Sequence, residues 1–408
     1  MQGSAFKGWT AAQKHVVAAS YLGWTLDAFD FFLLVFVVKD VARDFSATVP
    51  AVLVAVTLTL ALRPLGAFLF GRLADRFGRR PILMLDVALY SVLGFATAFS
   101  PNLTVFLAIR ALFGVAMGGE WGIGASLTME TIPPAGRGLV SGLLQSGYPS
   151  GYLLASLVYG LFYATIGWRG MFMVGILPAL LILYIRRKVP ESPVFRDEHA
   201  KAGTTLSVLA RHWKLALYAV LLMTAFNFFS HGTQDLYPTF LQKQRGFGHE
   251  TVGAIAVIYN IGAILGGLTF GYFSQHVGRR RAMVTAALLA IPAIGLWAFC
   301  SSALLLAVGA FVLQFFVQGA WGVVPAHLNE LSPREARGTF AGTVYQLGNF
   351  IASSNAVLQA KIAESHGNNY ALALACVAIA ASLTIALLVG FGREAKGADM
   401  ATGALPSG

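Results

Sequence analysis

The segment NFFSHGTQDLYPT, residues 227–239, places an imidazole and a carboxylate among amides and hydroxyls inside an otherwise apolar run. Asn227, His231 and Asp235 recur every fourth residue, so a helix lays them along one stripe, with Gln234 beside them. Histidine is the side chain whose unperturbed charge changes nearest neutral pH. A stripe of this kind suits the binding of a polar solute and the holding of a proton. The plain alternative is a core histidine satisfied by a neighbouring helix. Residue type and spacing do not separate His231 from Asp235 as the proton site.

Other charges lie within apolar runs. Asp27 and Asp30 are three apart, hence on one helical face. Arg63 lies eight residues before Gly71, roughly 12 Å from the end of its run at 1.5 Å per residue. Arg110 and Glu120 share a third run. A charge at mid-membrane costs at least about 2.5–3.5 kcal/mol on insertion scales, so each needs a functional or pairing reason. Arg63 reads as a solute contact or as a structural partner of Asp27 or Asp30, and Arg110 as a packing residue. Asp27, Asp30 and Glu120 are further proton candidates, Glu120 with the second option of pairing with basic loops. Oxygen donors such as Asp27, Asp30 and Asn227 also suit Na⁺, but the titratable His231 and Asp235 favour the proton. Tyr148, Gln145, Trp121, Trp321, Tyr345 and Asn349 are candidate lining residues, set against ordinary aromatic and small-residue packing.

Reaction chemistry finds little support. There is no phosphate-binding Walker sequence. The two cysteines, Cys300 and Cys376, both sit in apolar segments, which argues against a disulfide framework or a cysteine metal site. We expect no enzyme, no cofactor and no metal centre.

The elements that must position these residues follow from composition. Of 408 residues, 57% are hydrophobic and 12% charged, against roughly 25% charged in soluble domains. Lipid is therefore the solvent for most of the chain. The net charge of +11 comes from short basic clusters between apolar runs, the pattern of membrane orientation signals and not of nucleic-acid binding. Twelve windows reach the length of about 20 residues that a spanning helix needs, from 16–38 to 370–391, those at 170–187 and 338–361 included. The longest polar stretch divides them six and six. We therefore expect two bundles, 1–187 and 214–408, joined by a linker at 188–213. Most of the 29 Lys and Arg fall on the side of the N-terminus, Lys7 and Lys201 among them, which predicts a multi-pass membrane protein with both termini in the cytoplasm. The first fifteen residues lack an apolar core and a small-residue cleavage site, and read as a cytoplasmic lead-in.

The two halves repeat. GRLADRFGRR (71–80) aligns with GYFSQHVGRR (271–280), and the same register pairs Trp121 with Trp321, Glu130 with Glu330 and Arg137 with Arg337. It also sets Asn227 opposite Asp27 and Ser230 opposite Asp30. Parallel repeats about an axis along the membrane normal are a transporter architecture. At the inner ends, Asp75, Arg76, Arg79 and Arg80 fall near Glu130 and Arg137, with Glu330 and Arg337 in the second half. Ion pairs there suit a gate that closes in one state and opens in another, with Asp75 and Arg137 as its expected elements. The plain reading is solvated orientation charges.

GRLADRFGRR resembles the loop 2–3 signature of the major facilitator superfamily, over essentially the whole chain. PESP (190–193) and the 130/137 and 330/337 Glu–Arg spacings resemble its sugar-porter-like branches, although Gln275 stands where the first half has Asp75. The 227–239 segment is more specific. Asn227, Ser230, His231, Thr233, Gln234, Asp235 and Thr239 match the signature of the fungal lactate/pyruvate–proton permeases, in the sialate:proton symporter family, and GWTLDAFDFF (23–32) resembles the same family's first helix. The resemblance implies an all-α major facilitator fold and symport of a small monocarboxylate with a proton, by a protein acting as a monomer. It implies that helix 7 is needed, with Asn227 and Gln234 on the solute, and that Arg63 partners the carboxylate. A larger acid, such as sialic acid or an aromatic acid, is the alternative cargo. A non-transporting sensor and a proton-driven exporter are the alternative classes.

Overall fold

The computed structural model describes residues 8–198 and 205–400, so Lys7, Lys201 and the middle of the 188–213 segment lie outside the described residues. Among these the chain is helical: α1 Ala11–Asp44, α2 Val49–Phe77, α3 Arg79–Thr97, α4 Leu103–Thr131, α5 Arg137–Val174, α6 Ala179–Lys188, α7 Pro193–Glu198, α8 Thr205–Arg211, α9 Trp213–Gln234, α10 Tyr237–Lys243, α11 His249–Val277, α12 Arg279–Phe299, α13 Ala303–Trp321, α14 Val324–Leu331, α15 Arg337–Ala352, α16 Asn355–Ser365 and α17 Tyr370–Gly390. Helix starts are written locally. Thr10 and Gln13 form a reciprocal capping box on α1, and Asn102 Oδ1 accepts from Val105 N on α4. Leu65, Leu69, Leu180, Leu304 and Leu387 are exposed, as side chains facing acyl chains must be.

Ten helical stretches are long and apolar enough to cross a membrane, against twelve windows in the sequence. The two missing crossings are broken helices. Gly167, with φ of 60°, reverses the chain inside the α5 stretch, and turns at 175–178 separate Trp168–Val174 from α6. The eleventh window divides at Ser353–Ser354 into α15 and α16. Counting these two, the described residues hold twelve helical stretches, whole or broken, for crossing a membrane.

Both copies of the repeated loop turn on a glycine, Gly78 (φ 109°) and Gly278 (φ 100°), between paired antiparallel helices. A side chain at Gly278 would meet Glu394 Oε2 at 2.7 Å, and one at Gly78 would collide with Glu191. Within the first half α2 packs on α4; within the second α11 packs on α13. The halves meet where α5 runs along α11 and α2 along α15. A Cβ on Gly142 would penetrate the carbonyl oxygen of Gly267, so only the bare glycine lets those two backbones touch.

Candidate functional site

The helix ends bearing Arg79, Arg137, Arg279 and Arg337 lie together, and we call this the basic end. It is sealed by groups reaching from one half to the other. Asp75, at the end of α2, accepts from Gly338 N (3.0 Å), Thr339 N (2.9 Å) and Thr339 Oγ1 (2.6 Å), the unsatisfied first turn of α15. Gln275, at the end of α11, accepts from Gly138 N at 3.1 Å in the first turn of α5. An amide oxygen caps a helix as a carboxylate does, so the degenerate second loop keeps the contact. Arg337 Nη1 lies 3.2 Å from Glu130 Oε1, and Arg137 Nη1 lies 3.9 Å from Glu330 Oε1, both across the halves. Within each half, Arg79 reaches Glu130 and Asp75, and Arg279 grips Glu330 through two nitrogens at 3.0 Å.

Asp75 and Arg137 therefore share the seal without pairing with one another, because a helix N-terminus already occupies Asp75. Arg76 stands outside it: its side chain is exposed and lies over Phe77.

The opposite end is more open. His231 is 25% and Asp235 35% exposed, with Nδ1 of the ring 3.1 Å from Asp235 Oδ1 and Nε2 3.0 Å from Asn349 Oδ1. Gln234 Nε2 donates to Gln314 Oε1 at 3.0 Å, and Gln314 Nε2 to Thr233 Oγ1 at 2.8 Å. Asn227 is buried and donates to Met223 O in its own helix. Trp121 of the first half meets Tyr345 of the second at a tilt, 4.5 Å between ring centroids, with Trp321 edge-on to Tyr345 at 5.7 Å. Tyr148 packs against Trp24 and Phe32. The Trp121–Tyr345 contact joins the two halves.

Arg63 is 2% exposed on α2, against Met117 and the Phe31 ring, with no carboxylate within ion-pair distance among the described residues. Its guanidinium acts electrostatically on Asp27 as well as on Tyr148, Tyr345 and His231, so it lies near groups of both halves. The structural pairing with Asp27 or Asp30 is absent. Those two aspartates turn into the first half. Asp30 lies against Gly94 and Gly175, where added Cβ atoms would be 3.5 and 3.0 Å from its oxygens. No oxygen of Asp27, Asp30 or Glu120 has a hydrogen-bond partner among the described residues. Glu120 does not pair with the basic loops. It is buried between α1 and α4 at a cavity of about 10 Å³ lined by Ser20, Trp24 and Trp121, space for one water. Arg110 is buried over the Phe113 ring at 3.9 Å.

Sequence reasoning passed over Asp86 and Tyr90 on α3, both buried and without partners among these acids, and Gln314 and Gln318 on α13. Asp86 carried a usable signal, a lone charge in an apolar window. The glutamines did not, since an isolated amide in a helix is unremarkable until its partner is known.

The model of the Major Facilitator Superfamily matches residues 21–251 and 220–399. A carboxylic acid transporter protein homolog of Saccharomyces cerevisiae is 30% identical over 85% of this chain, which spans 61% of that relative's length. The sialic acid transporter NanX of Escherichia coli is 28% identical over 93% of this chain and 94% of its own. Among solved structures, the proton:xylose symporter XylE bound to 6-bromo-6-deoxy-D-glucose superposes with a TM-score of 0.77 over 95% of this chain and 97% of its own, at 19% identity, a likeness of fold alone. Twelve crossings in two repeated halves, sealed across one end by the two copies of the same loop, and a family match over nearly the whole chain lead to one conclusion: the chain belongs to the major facilitator superfamily of membrane transporters.

Proposed function

We propose that this protein carries a small monocarboxylate of the lactate or pyruvate class across the membrane together with a proton, by alternating access. The observation that carries the reading is Arg63, a desolvated guanidinium near Tyr148, Tyr345 and His231 with no carboxylate in ion-pair contact among the described residues. A planar fork with unused donors is suited to a carboxylate. Asn227 and Gln234 hydrogen-bond the solute, and Tyr148 and Tyr345 wall it. Asp235 with His231 faces the open end and takes the proton, backed by Asp27, Asp30 and Glu120 inside the first half. An anion entering this interior adds a charge that lipid surroundings disfavour, and a proton entering with it removes that cost.

In this reading the basic end is cytoplasmic, as the positive-inside rule requires. Both termini lie on that side of a cell membrane, and the described state faces outward. Units 1–187 and 214–408 rock about the site as a monomer, with the gate formed by Asp75, Arg79, Glu130, Arg137, Glu330 and Arg337.

A second reading, transport of a larger acid such as sialic acid, is favoured by the near full-length match to the Escherichia coli sialic acid transporter. A competition panel separates them. Purified protein in liposomes takes up labelled lactate under an inward proton gradient, while unlabelled lactate, pyruvate, sialic acid and an aromatic acid compete. Competition by lactate and pyruvate alone supports the first reading. Competition by sialic acid at lower concentration than lactate supports the second, and no uptake of any acid defeats both.

A further inference from the structure

The two repeated loops differ in one respect that transport does not explain. In the first half, Glu191 accepts from Arg79 N (3.0 Å) and Arg80 N (3.2 Å), and α7 follows it so that buried Phe195 lies 5.7 Å from the Arg79 guanidinium and against Gly78. In the second half, Glu394 does the same for Arg279 N (3.2 Å) and Arg280 N (3.1 Å), but no helix follows among the described residues. A Cβ at Gly278 would meet Glu394 and nothing else. The chain instead leaves toward the gate, where Arg137 donates to Ala398 O and Arg337 to Met400 O. The space that α7 fills in one half is left in the other as a cavity of about 840 Å³.

The cavity is basic. Arg280, Arg281, Lys396 and His276 line it, with Glu394 as the acidic member. The Glu394 carboxylate is already engaged by four backbone N–H groups, of Arg279, Arg280, Ala395 and Lys396. Arg280 is also engaged, holding the last carbonyls of α17 at Val389 and Gly390. Arg281 is exposed and has no partner among the described residues, at a position where the first-half repeat has Pro81. The rim is apolar. Phe391 is 89% exposed, and Leu288 on α12 and Leu387 on α17 face outward one turn deeper along two helices that pack together. Cations at the membrane plane, adjoining an outward-facing apolar ridge, fit an amphiphile better than a soluble anion.

We propose that this cavity binds the phosphodiester headgroup of an anionic phospholipid, with the phosphate meeting Arg281 and Lys396 and the acyl chains lying along the α12–α17 ridge. Its volume is within the range of small-ligand sites, about 300–1,000 Å³, and basic pockets between spanning helices are suited to such headgroups. The proposal does not depend on which solute is carried.

The test titrates purified full-length protein in detergent with dioctanoyl phosphatidylglycerol, dioctanoyl phosphatidylcholine or inorganic phosphate, read by calorimetry. Saturable binding of the phosphatidylglycerol alone is expected. Each cation near a membrane surface contributes a factor of roughly five in affinity, so R281A and K396A each bind about fivefold more weakly, and R281E roughly twenty-five-fold. Arg281 holds no partner, so its variants keep the wild-type melting temperature. Equal affinity in wild type, R281A and R281E overturns the site. Inorganic phosphate displacing phosphatidylglycerol at comparable concentration overturns the lipid and leaves a simple anion pocket. Equal binding of phosphatidylcholine removes the role of charge.

Discussion

Replacing Arg63 by alanine tests the proposed carboxylate contact most directly. The side chain is 2% exposed, so an anion bound there is desolvated with it. Removing one partner of a buried charge pair costs about 3–5 kcal/mol, and two charge-assisted hydrogen bonds at about 1.5–3 kcal/mol each give a similar figure. At about 1.4 kcal/mol per decade, even the lower bound weakens lactate binding by more than a hundredfold. Folding is expected to survive. The substitution leaves a void beside Met117 and Phe31, but it also removes a buried cation that no carboxylate meets in an ion pair among the described residues. Arg63→Lys keeps the charge and loses the fork, so it falls between the two, about tenfold or more below wild type. Calorimetry with lactate on purified protein reads the affinity, and intrinsic tryptophan fluorescence on heating reads the fold. Near-normal lactate affinity in Arg63→Ala, with an unchanged melting temperature, would refute the assignment and return Arg63 to a packing role.

Asp235→Asn fixes the stripe in its uncharged form. In liposomes it is expected to lose proton-gradient-driven accumulation of lactate while keeping counterflow, and retained accumulation moves the proton to Asp27, Asp30 or Glu120. Gly142→Ala places a methyl group on Gly267 O, so the halves cannot close at the basic end; spin labels on α5 and α11 there are expected to report longer distances, and an unchanged distribution counts against the close-approach argument. Glu394 gives a pH dependence. Burial pushes its carboxyl up, but the N–H groups of Arg280, Lys396 and Arg279 outweigh that and hold it below the ordinary range. Its stabilising effect is thus present above the unfolded carboxylate pKa and is lost as pH falls through the lower folded value. Glu394→Gln is expected to melt below wild type at neutral pH, with the two curves converging in acid.

Much of the fold was legible because lipid leaves few options. A chain that is 57% hydrophobic and 12% charged must satisfy its backbone within helices, and run length then gives the crossings. The two windows without a single long helix, 170–187 and 338–361, show the limit. Each holds enough apolar residues to cross. The break at 175–178 does carry punctuation, Gly175 and Pro178, which the run-length reading passed over, whereas Ser353–Ser354 carries neither glycine nor proline. The spacing of Asn227, His231 and Asp235 correctly put two titratable groups one turn apart, and they meet at 3.1 Å.

Sequence by itself determined the solvent, the number of crossings, the repeat and the identity of the charges that lipid cannot hold unaided. It did so because hydropathy and helical period are properties of one segment at a time. What each polar face meets is a relation between segments, and only the tertiary structure decided it. Asp27 and Asp30 share a face, yet that face turns into the first half beside Asp86, Arg110 and Glu120, away from the stripe on α9. Asp75 closes on the first turn of α15 and not on Arg137. Arg63, one of several charges in the sequence, stands apart because packing buries its guanidinium with no carboxylate in ion-pair contact among the described residues, Asp27 acting on it only from farther off.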